Sequence, residues 1–73
     1  NADYIKIDGS LIKEINTNEQ AQIVVSTIVD FAKKMGIKTI AEFVENEAIL
    51  NKIIELDIDY SQGYFFSEPK IDI

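Results

Sequence analysis

The stretch TNEQAQIVVSTIVDFAKKMG, residues 17–36, contains a helix start, an apolar stripe and a helix stop in one run. Thr17, with a glutamine three residues later, fits the capping box that satisfies the first free N–H groups of a helix. Lys33 and Lys34 suit the negative end of the helix dipole, and Gly36 suits a C-cap. We therefore predict a helix here. The residues of its apolar stripe, expected in the core, are Ala21, Val24, Val25, Ile28, Ala32 and Met35.

Runs rich in β-forming residues flank this helix. DYIKID, residues 3–8, precedes it, and IKTIAEFV, residues 37–44, follows it. Asn46 is placed to cap a second helix, and IDYSQGYFF, residues 58–66, is a third strand-like run. Residues 10–16 hold enough apolar side chains for a helical turn or a packed loop. The order strand, helix, strand, helix, strand predicts an α/β fold with parallel strands and right-handed crossovers. The apolar face of the second helix is predicted to be Ile49, Leu50, Ile53 and Leu56.

The composition removes several classes of protein. Of 73 residues, 47% are hydrophobic and 27% are charged, which is typical of a folded chain. The absence of cysteine and histidine excludes disulfide frameworks, thiolate zinc sites and imidazole general bases. The net charge of −6 disfavours binding to DNA or RNA polymers, but bound divalent cations can admit a small phosphorylated ligand. With no membrane-length apolar run and no secretory leader, we expect a cytoplasmic chain whose parent can be membrane-tethered through upstream regions.

The length is short for an α/β domain. A chain of 73 residues buries only about 60% of the surface that its unfolded form exposes. A parallel sheet with both helices on one face would also leave its other face and its edges bare. A compact minidomain, a piece of a larger domain and a self-associating chain remain open, and the topology favours the last two. We therefore expect a homo-oligomer. We interpret residues 1–2 as an expression-tag remnant from their position alone.

Polar side chains occur where each predicted strand ends. In parallel sheets and barrels, functional sites lie at the carboxyl ends of the strands. Carboxylate oxygens suit hard cations such as Mg²⁺ or Mn²⁺, so this edge suits metal-assisted hydrolysis of a phosphoester. Charges that simply emerge into solvent at strand ends explain the same pattern, and both interpretations stay open on spacing alone. The residues concerned are Lys6, Asp8, Glu42, Glu45 and Gln62.

Three segments resemble the signature motifs of a known family. DYIKIDGS, AEFVEN and YSQGYFFSEP closely resemble the last three motifs of EAL domains, the bacterial cyclic-di-GMP phosphodiesterases. The 34 positions from Asp8 to Glu42 and the 20 from Glu42 to Gln62 also look like the family's intervals. The resemblance implies that residues 3–73 are the C-terminal part of a modified TIM barrel. The Glu-Ala-Leu motif of the family, its Asn and Glu metal ligands and its paired aspartates are absent.

The resemblance implies a role for each matching residue. EAL domains need Mg²⁺ or Mn²⁺ and linearise cyclic di-GMP with a metal-activated water. Lys6 would orient that water and offset phosphate charge, and Asp8 would lie at the metal centre. Glu42 would be the general base and a ligand of the second metal, and Glu45 would brace the loop of the paired aspartates. Gln62 would hydrogen-bond near the metal-bound water. Without the upstream ligands, we expect the isolated chain to be inactive and free of metal.

One position departs from the family's pattern. Phe43 follows Glu42 where the family usually has glycine, which permits close backbone approach at a crowded strand end. We expect phenylalanine to displace Glu42 or to narrow the substrate cleft. This favours a second hypothesis, a degenerate EAL-like module that binds cyclic di-GMP or scaffolds a partner, whereas the retained charged residues favour the enzyme. A third hypothesis needs no family and is a free-standing βαβαβ module that dimerises through its sheet edges.

Other polar and aromatic residues receive structural interpretations. Asp57 and Asp59 are expected to be solvated beside a turn. Lys6 and Asp8 share a strand face and could form a structural ion pair, although the resemblance favours a functional role. An aromatic cluster is expected to pack in the core rather than to bind RNA, because the flanking basic residue of RNA-binding strands is missing. Its members are Tyr60, Tyr64, Phe65 and Phe66.

Overall fold

A computed structural model describes residues 3–62 and gives the order of helices and strands within them. The predicted alternation and the α/β class are confirmed, and the segment left open at residues 10–16 begins with a short helix. The interpretations of residues 1–2 and of Tyr64, Phe65 and Phe66 lie outside the described residues. The elements are β1 (Tyr4–Ile7), α1 (Gly9–Lys13), α2 (Glu19–Met35), β2 (Lys38–Ala41), α3 (Glu47–Glu55) and β3 (Tyr60–Ser61).

The three strands form a parallel sheet in the order β1-β2-β3. Ile7 is in register with Ala41, and Ala41 with Ser61. Because side chains alternate along a strand and register partners share a face, these three residues lie on one face of the sheet. Lys6, which is in register with Ile40, lies on the other face.

The hydrophobic core lies on the face of Ile7 and Ala41. Buried residues of all three helices pack there in one cluster, so the helices cover the same face, as predicted from the sequence. The cluster also contains Val44 and Ile58 from the loops that flank α3. The helical members are Ile12 of α1, Val25 and Val29 of α2, and Ile49 and Ile53 of α3. Within residues 3–62, no helix has the length and hydropathy to cross a bilayer.

The N-cap of α2 differs from the prediction. Asn18, not Thr17, caps the helix, and its side-chain oxygen accepts hydrogen bonds from the backbone of Gln20 at 2.9 Å and Ala21 at 3.3 Å. Thr17 belongs instead to the turn that follows α1, where its N–H donates to the carbonyl of Glu14 at 3.1 Å. The predicted C-cap is confirmed, because Gly36 adopts a left-handed backbone with φ of 71°.

The apolar stripe of α2 is only partly in the core. Ala21, Val25 and Ala32 are buried as predicted, but Val24 is 44% exposed and Met35 is 60% exposed, so the prediction for these two was wrong. Residues of an α-helix advance by about 100° each, which places Val24 and Met35 on one flank of the buried face formed by Ala21, Val25 and Ala32. Phe31, 55% exposed, lies on the same flank. We call Val24, Phe31 and Met35 the exposed α2 stripe.

The second predicted helix is confirmed in position and in its buried face. The side chain of Asn46 accepts a hydrogen bond from the backbone N–H of Ile49 at 2.8 Å, as expected of an N-cap. Ile49 and Ile53 are buried, and Leu50 and Leu56 pack against the core.

Asp59 is not solvated, contrary to expectation. Its carboxylate accepts hydrogen bonds from the backbone N–H of Thr39 at 2.9 Å and from the Thr39 hydroxyl at 3.3 Å. The Asp59 N–H donates in return to Thr39 Oγ1 at 3.2 Å. These bonds tie the start of β2 to the residue before β3 and so fix the register of the two strands. Asp57 is indeed solvated, with a side chain that is 79% exposed and pairs with Lys33 at 3.1 Å.

Candidate functional site

The backbone ladder extends one step beyond each strand and brings three predicted site residues to neighbouring positions. The N–H of Glu42 donates to the carbonyl of Ile7 at 3.2 Å, and the N–H of Gln62 donates to that of Ala41 at 2.8 Å. Asp8 follows Ile7 directly, so Asp8, Glu42 and Gln62 stand at the carboxyl ends of three adjacent parallel strands. This is the edge of an α/β sheet where ligands bind.

The predicted site residues belong to the face of the sheet opposite the helices. Lys6 and Asp8 are two residues apart on β1 and therefore share this face. Both are exposed, whereas Glu42 and Gln62 are half-buried. The rings of Tyr4 in β1 and Tyr60 in β3 also lie close together on this face, with centroids 5.9 Å apart. The site residues thus emerge on a surface that the helical core does not use.

Asp8 is held in place by Ser10. The Asp8 Oδ2 atom accepts hydrogen bonds from the Ser10 backbone N–H at 3.1 Å and from the Ser10 hydroxyl, which makes Asp8 the N-cap of α1. The hydroxyl bond first, and the backbone bond second, lower the pKa of Asp8 below its ordinary value. Among residues 3–62, Lys6 has no carboxylate within ion-pair distance, so the structural Lys6–Asp8 ion pair is not formed.

Phe43 is the extra residue of a β-bulge. Regular parallel register would pair the N–H of Phe43 with the carbonyl of Gln62, but the N–H of Val44 makes that bond instead, at 3.0 Å. Phe43 takes a left-handed backbone with φ of 60°, which costs a residue with a Cβ roughly 1–2 kcal/mol. Glycine would adopt this conformation without the steric cost of a Cβ. The backbone of Glu42 nevertheless keeps its bond to Ile7, so the bulge begins only after Glu42.

The ring of Phe43 packs against Gly9. A Cβ atom at residue 9 would lie 3.0 Å from Phe43 Cγ and closer still to Cδ2, which real side chains do not tolerate. Gly9 itself is buried, whereas Phe43 remains 61% exposed. Because Gly9 separates Asp8 from Ser10, the ring lies on the turn that holds the Asp8 carboxylate.

The remaining predicted residue, Glu45, is exposed and directly precedes the N-cap of α3. No group of three or more carboxylates close enough to hold a metal ion occurs in the described part of the chain. The donor chemistry of Asp8 and Glu42 suits Mg²⁺ or Mn²⁺, and these two residues would make up part of a ligand set.

A protein-family model matches nearly the whole chain. The model of the EAL domain matches residues 1–69. The chain belongs to the EAL domain family. Two EAL relatives are the cyclic di-GMP phosphodiesterase PdeA of Borreliella burgdorferi, 52% identical over 68 residues, and PdeB of Shewanella oneidensis, 41% identical over 68 residues. Each match covers 93% of this chain but only 10% and 8% of those proteins, so this EAL segment is homologous to a small part of each.

Solved EAL structures share the fold of the segment. The EAL enzyme Bd1971, in a form bound to cAMP and cyclic di-GMP, is 34% identical with a TM-score of 0.85 and covers 92% of this chain. An EAL domain protein from Listeria monocytogenes is 37% identical, with a TM-score of 0.84 and the same coverage. The segment corresponds to 18% and 27% of those two chains.

Sequence reasoning missed two residues of this site. Ser10 was not singled out, although an aspartate followed two positions later by serine is a signal for a capping turn. Gly9 was not singled out either. Its contact with Phe43 joins residues 34 positions apart, which only the strand register reveals.

Proposed function

We propose that this EAL segment contributes one side of the active site of a cyclic di-GMP phosphodiesterase. The observation that carries the proposal is the alignment of Asp8, Glu42 and Gln62 at three adjacent strand ends, with Lys6 on the same face of the sheet. The relatives named as cyclic di-GMP phosphodiesterases support the choice of substrate. In this proposal the segment is the last part of a TIM-like barrel, and the remaining units complete the site.

The proposed reaction breaks one phosphodiester bond of the cyclic dinucleotide. Glu42 accepts a proton from the attacking water, whose oxygen bonds to phosphorus while the sugar oxygen leaves and takes up a proton, giving the linear dinucleotide. Lys6 offsets the negative charge that builds on the phosphate oxygens, and Gln62 orients the water by hydrogen bonding. A bound Mg²⁺ or Mn²⁺ would supply an acidified water, with Asp8 and Glu42 among its holders.

The roles of the charged residues are tested by turnover in the full-length protein that contains this segment. We expect Lys6→Ala to lower kcat for cyclic di-GMP by about 100-fold or more, because a positioned charge acting on the transition state is lost. The matched control is Lys34→Ala, which removes an exposed lysine from the last turn of α2. Equal kcat values for the two variants would refute the assignment of Lys6.

The isolated 73-residue chain is proposed to be inactive. Two carboxylates do not complete a metal site, and removal of part of a ligand set removes the binding energy that the set provides together. Incubation of the chain with cyclic di-GMP and Mn²⁺, followed by chromatography of the nucleotides, measures this directly. Accumulation of the linear dinucleotide at a rate above that of the Glu42→Gln chain would contradict the proposal.

The alternative function is a non-catalytic module that binds cyclic di-GMP. Phe43 favours it, because an aromatic ring occupies a position where glycine is usual. The backbone bond from Glu42 to Ile7 speaks against it, because the phenylalanine is accommodated by the bulge and not by displacement of Glu42. Equilibrium dialysis with cyclic di-GMP separates the two functions. The alternative requires a full-length protein that retains the dinucleotide unchanged in the presence of Mn²⁺.

Self-association of the isolated chain is also proposed. The exposed α2 stripe gives it an apolar surface, with exposures of 44%, 55% and 60% for its three residues. We expect light scattering to show a mass above 8.3 kDa that returns to the monomer value in Phe31→Glu. A monodisperse wild-type monomer would refute this.

A cytoplasmic location remains a prediction.

A further inference from the structure

Phe43 connects the two loops that carry the candidate carboxylates. It directly follows Glu42 at the end of β2, and its ring lies on Gly9, which directly follows Asp8 at the end of β1. The last regular link between these strand ends is the bond from the Glu42 N–H to the Ile7 carbonyl. Beyond that bond, the ring of Phe43 contacts Gly9 and adds a side-chain link between the two loops.

The backbone of Phe43 holds the ring against Gly9 at a conformational cost. The residue holds an unfavourable left-handed backbone, and its ring is 61% exposed, so burial of the ring does little to offset the strain. Strained residues that persist beside a site point to a functional requirement. Bulges beside active sites likewise serve to aim a neighbouring side chain.

We propose that Phe43 is a positioning residue, which presses on Gly9 and so fixes the Asp8-Gly9-Ser10 turn relative to Glu42. The backbone N–H of Ser10 donates to Asp8 Oδ2. This bond fixes the orientation of the Asp8 carboxylate relative to the turn. Phe43 therefore sets the spacing of two carboxylates without touching substrate. This inference rests on the proposed function, because it assigns Asp8 and Glu42 to the same site.

The geometry is tested first in the 73-residue chain by NMR. The ring current of Phe43 shifts the Hα resonances of the Gly9 that its ring contacts, and we expect Phe43→Gly to return them to ordinary glycine values. Phe43→Leu keeps an apolar contact but no ring current, so it controls for the general effect of replacing Phe43. Ordinary Gly9 shifts in the wild-type chain would overturn the inference.

The consequence is tested in the full-length protein by Mn²⁺ affinity and by kcat and KM for cyclic di-GMP. We expect Phe43→Gly to weaken Mn²⁺ binding and to lower kcat by about 10-fold, with KM changed less than about 2-fold, because residues that orient metal ligands have effects of this size. Phe43→Leu should recover most of the loss. A residue with only a structural role would change the unfolding temperature and leave Mn²⁺ affinity intact.

A double-mutant cycle separates the contact from the individual residues. Gly9→Ala should also weaken Mn²⁺ binding, because its Cβ forces the ring away. The Gly9→Ala, Phe43→Gly double variant should bind Mn²⁺ as tightly as Phe43→Gly alone, because without the ring the Cβ at residue 9 no longer clashes with residue 43. The proposal for Phe43 would be overturned if the losses of Mn²⁺ binding free energy in the two single variants added up in the double variant. It would also be overturned if the Phe43→Gly protein kept the wild-type Mn²⁺ affinity.

Failure of the proposed function gives a different pattern. A wild-type protein that neither hydrolyses cyclic di-GMP nor binds Mn²⁺ overturns the proposed function and, with it, this inference. An active wild type whose Phe43→Gly variant is unchanged overturns the role of Phe43 alone.

Discussion

Removal of the Asp59 carboxylate is expected to destabilise the chain through the link between β2 and β3. In Asp59→Ala, the backbone N–H of Thr39 loses its 2.9 Å acceptor and the Thr39 hydroxyl loses its 3.3 Å acceptor. Thr39 is only 1% exposed, so these bonds are shielded from water in the wild-type chain. A buried donor left without a partner costs about 1–3 kcal/mol, and the hydroxyl can turn to another acceptor. We therefore expect a loss of about 2–3 kcal/mol.

The ion pair of Asp59 with Lys33 contributes little to this figure. The two groups are 3.9 Å apart, and the Lys33 side chain is 41% exposed, so solvent screens their attraction. Asp57→Asn is the matched control, because it removes a carboxylate that pairs with the same lysine but is 79% exposed. Asparagine also tolerates the left-handed backbone of position 57, where φ is 67°. We expect the control to change stability by less than about 0.5 kcal/mol.

The assay is urea unfolding of the 73-residue chain, followed by circular dichroism at several protein concentrations. A fold of this length has roughly 4–11 kcal/mol of stability, so a loss of 2–3 kcal/mol moves the midpoint clearly. Asp59→Asn keeps one acceptor oxygen and should fall between the wild type and Asp59→Ala. Equal midpoints for Asp59→Ala and Asp57→Asn would show that the buried bonds to Thr39 do not hold the two strands together.

Three further changes test individual elements. Gly36→Ala should cost about 1 kcal/mol in urea unfolding because of its left-handed φ alone, since a Cβ there meets nothing within 4 Å. Asn46→Ala should cost about 1 kcal/mol, because the N–H of Ile49 loses its cap, and Asn46→Ser should recover most of it. Ser10→Ala should raise the NMR-measured pKa of Asp8, and an unchanged pKa would contradict the assigned cause. Because the pKa of Asp8 is lowered in the folded state, ionised Asp8 stabilises the fold at pH values above its unfolded-state pKa. This stabilisation is lost as the pH falls through the folded-state pKa. The difference in unfolding free energy between Ser10→Ala and the wild type should therefore shrink over that range.

The elements and the strand ends could be predicted from the sequence because their signals are local. The glycine after α2, the asparagine before α3 and the alternation of strands and helices each act over a few residues, and all of them are confirmed. The motif spacing placed Asp8, Glu42 and Gln62 at successive strand ends, where the structure has them. The sequence also marked Phe43 as unusual, although the reason lay in the bulge.

The remaining features depend on contacts between distant segments. Val24 and Met35 fit the periodicity of a buried stripe, but they lie on a flank of α2 that the described residues leave uncovered, so both are exposed. Asp59 looked like a turn residue because its partner, Thr39, is 20 positions away. The packing of Phe43 on Gly9 likewise depends on the register of β1 and β2. No pattern within one element carries this information.

We propose that the strand ends of this segment form part of a hydrolytic site for cyclic di-GMP. The most direct measurement is the rate at which the full-length protein converts cyclic di-GMP to the linear dinucleotide with Mn²⁺, compared between Glu42→Gln and Glu47→Gln. Both changes remove one carboxylate, but Glu47 is an exposed residue in the first turn of α3. We predict that Glu42→Gln abolishes turnover and that Glu47→Gln retains the wild-type rate. Wild-type turnover in Glu42→Gln would contradict it.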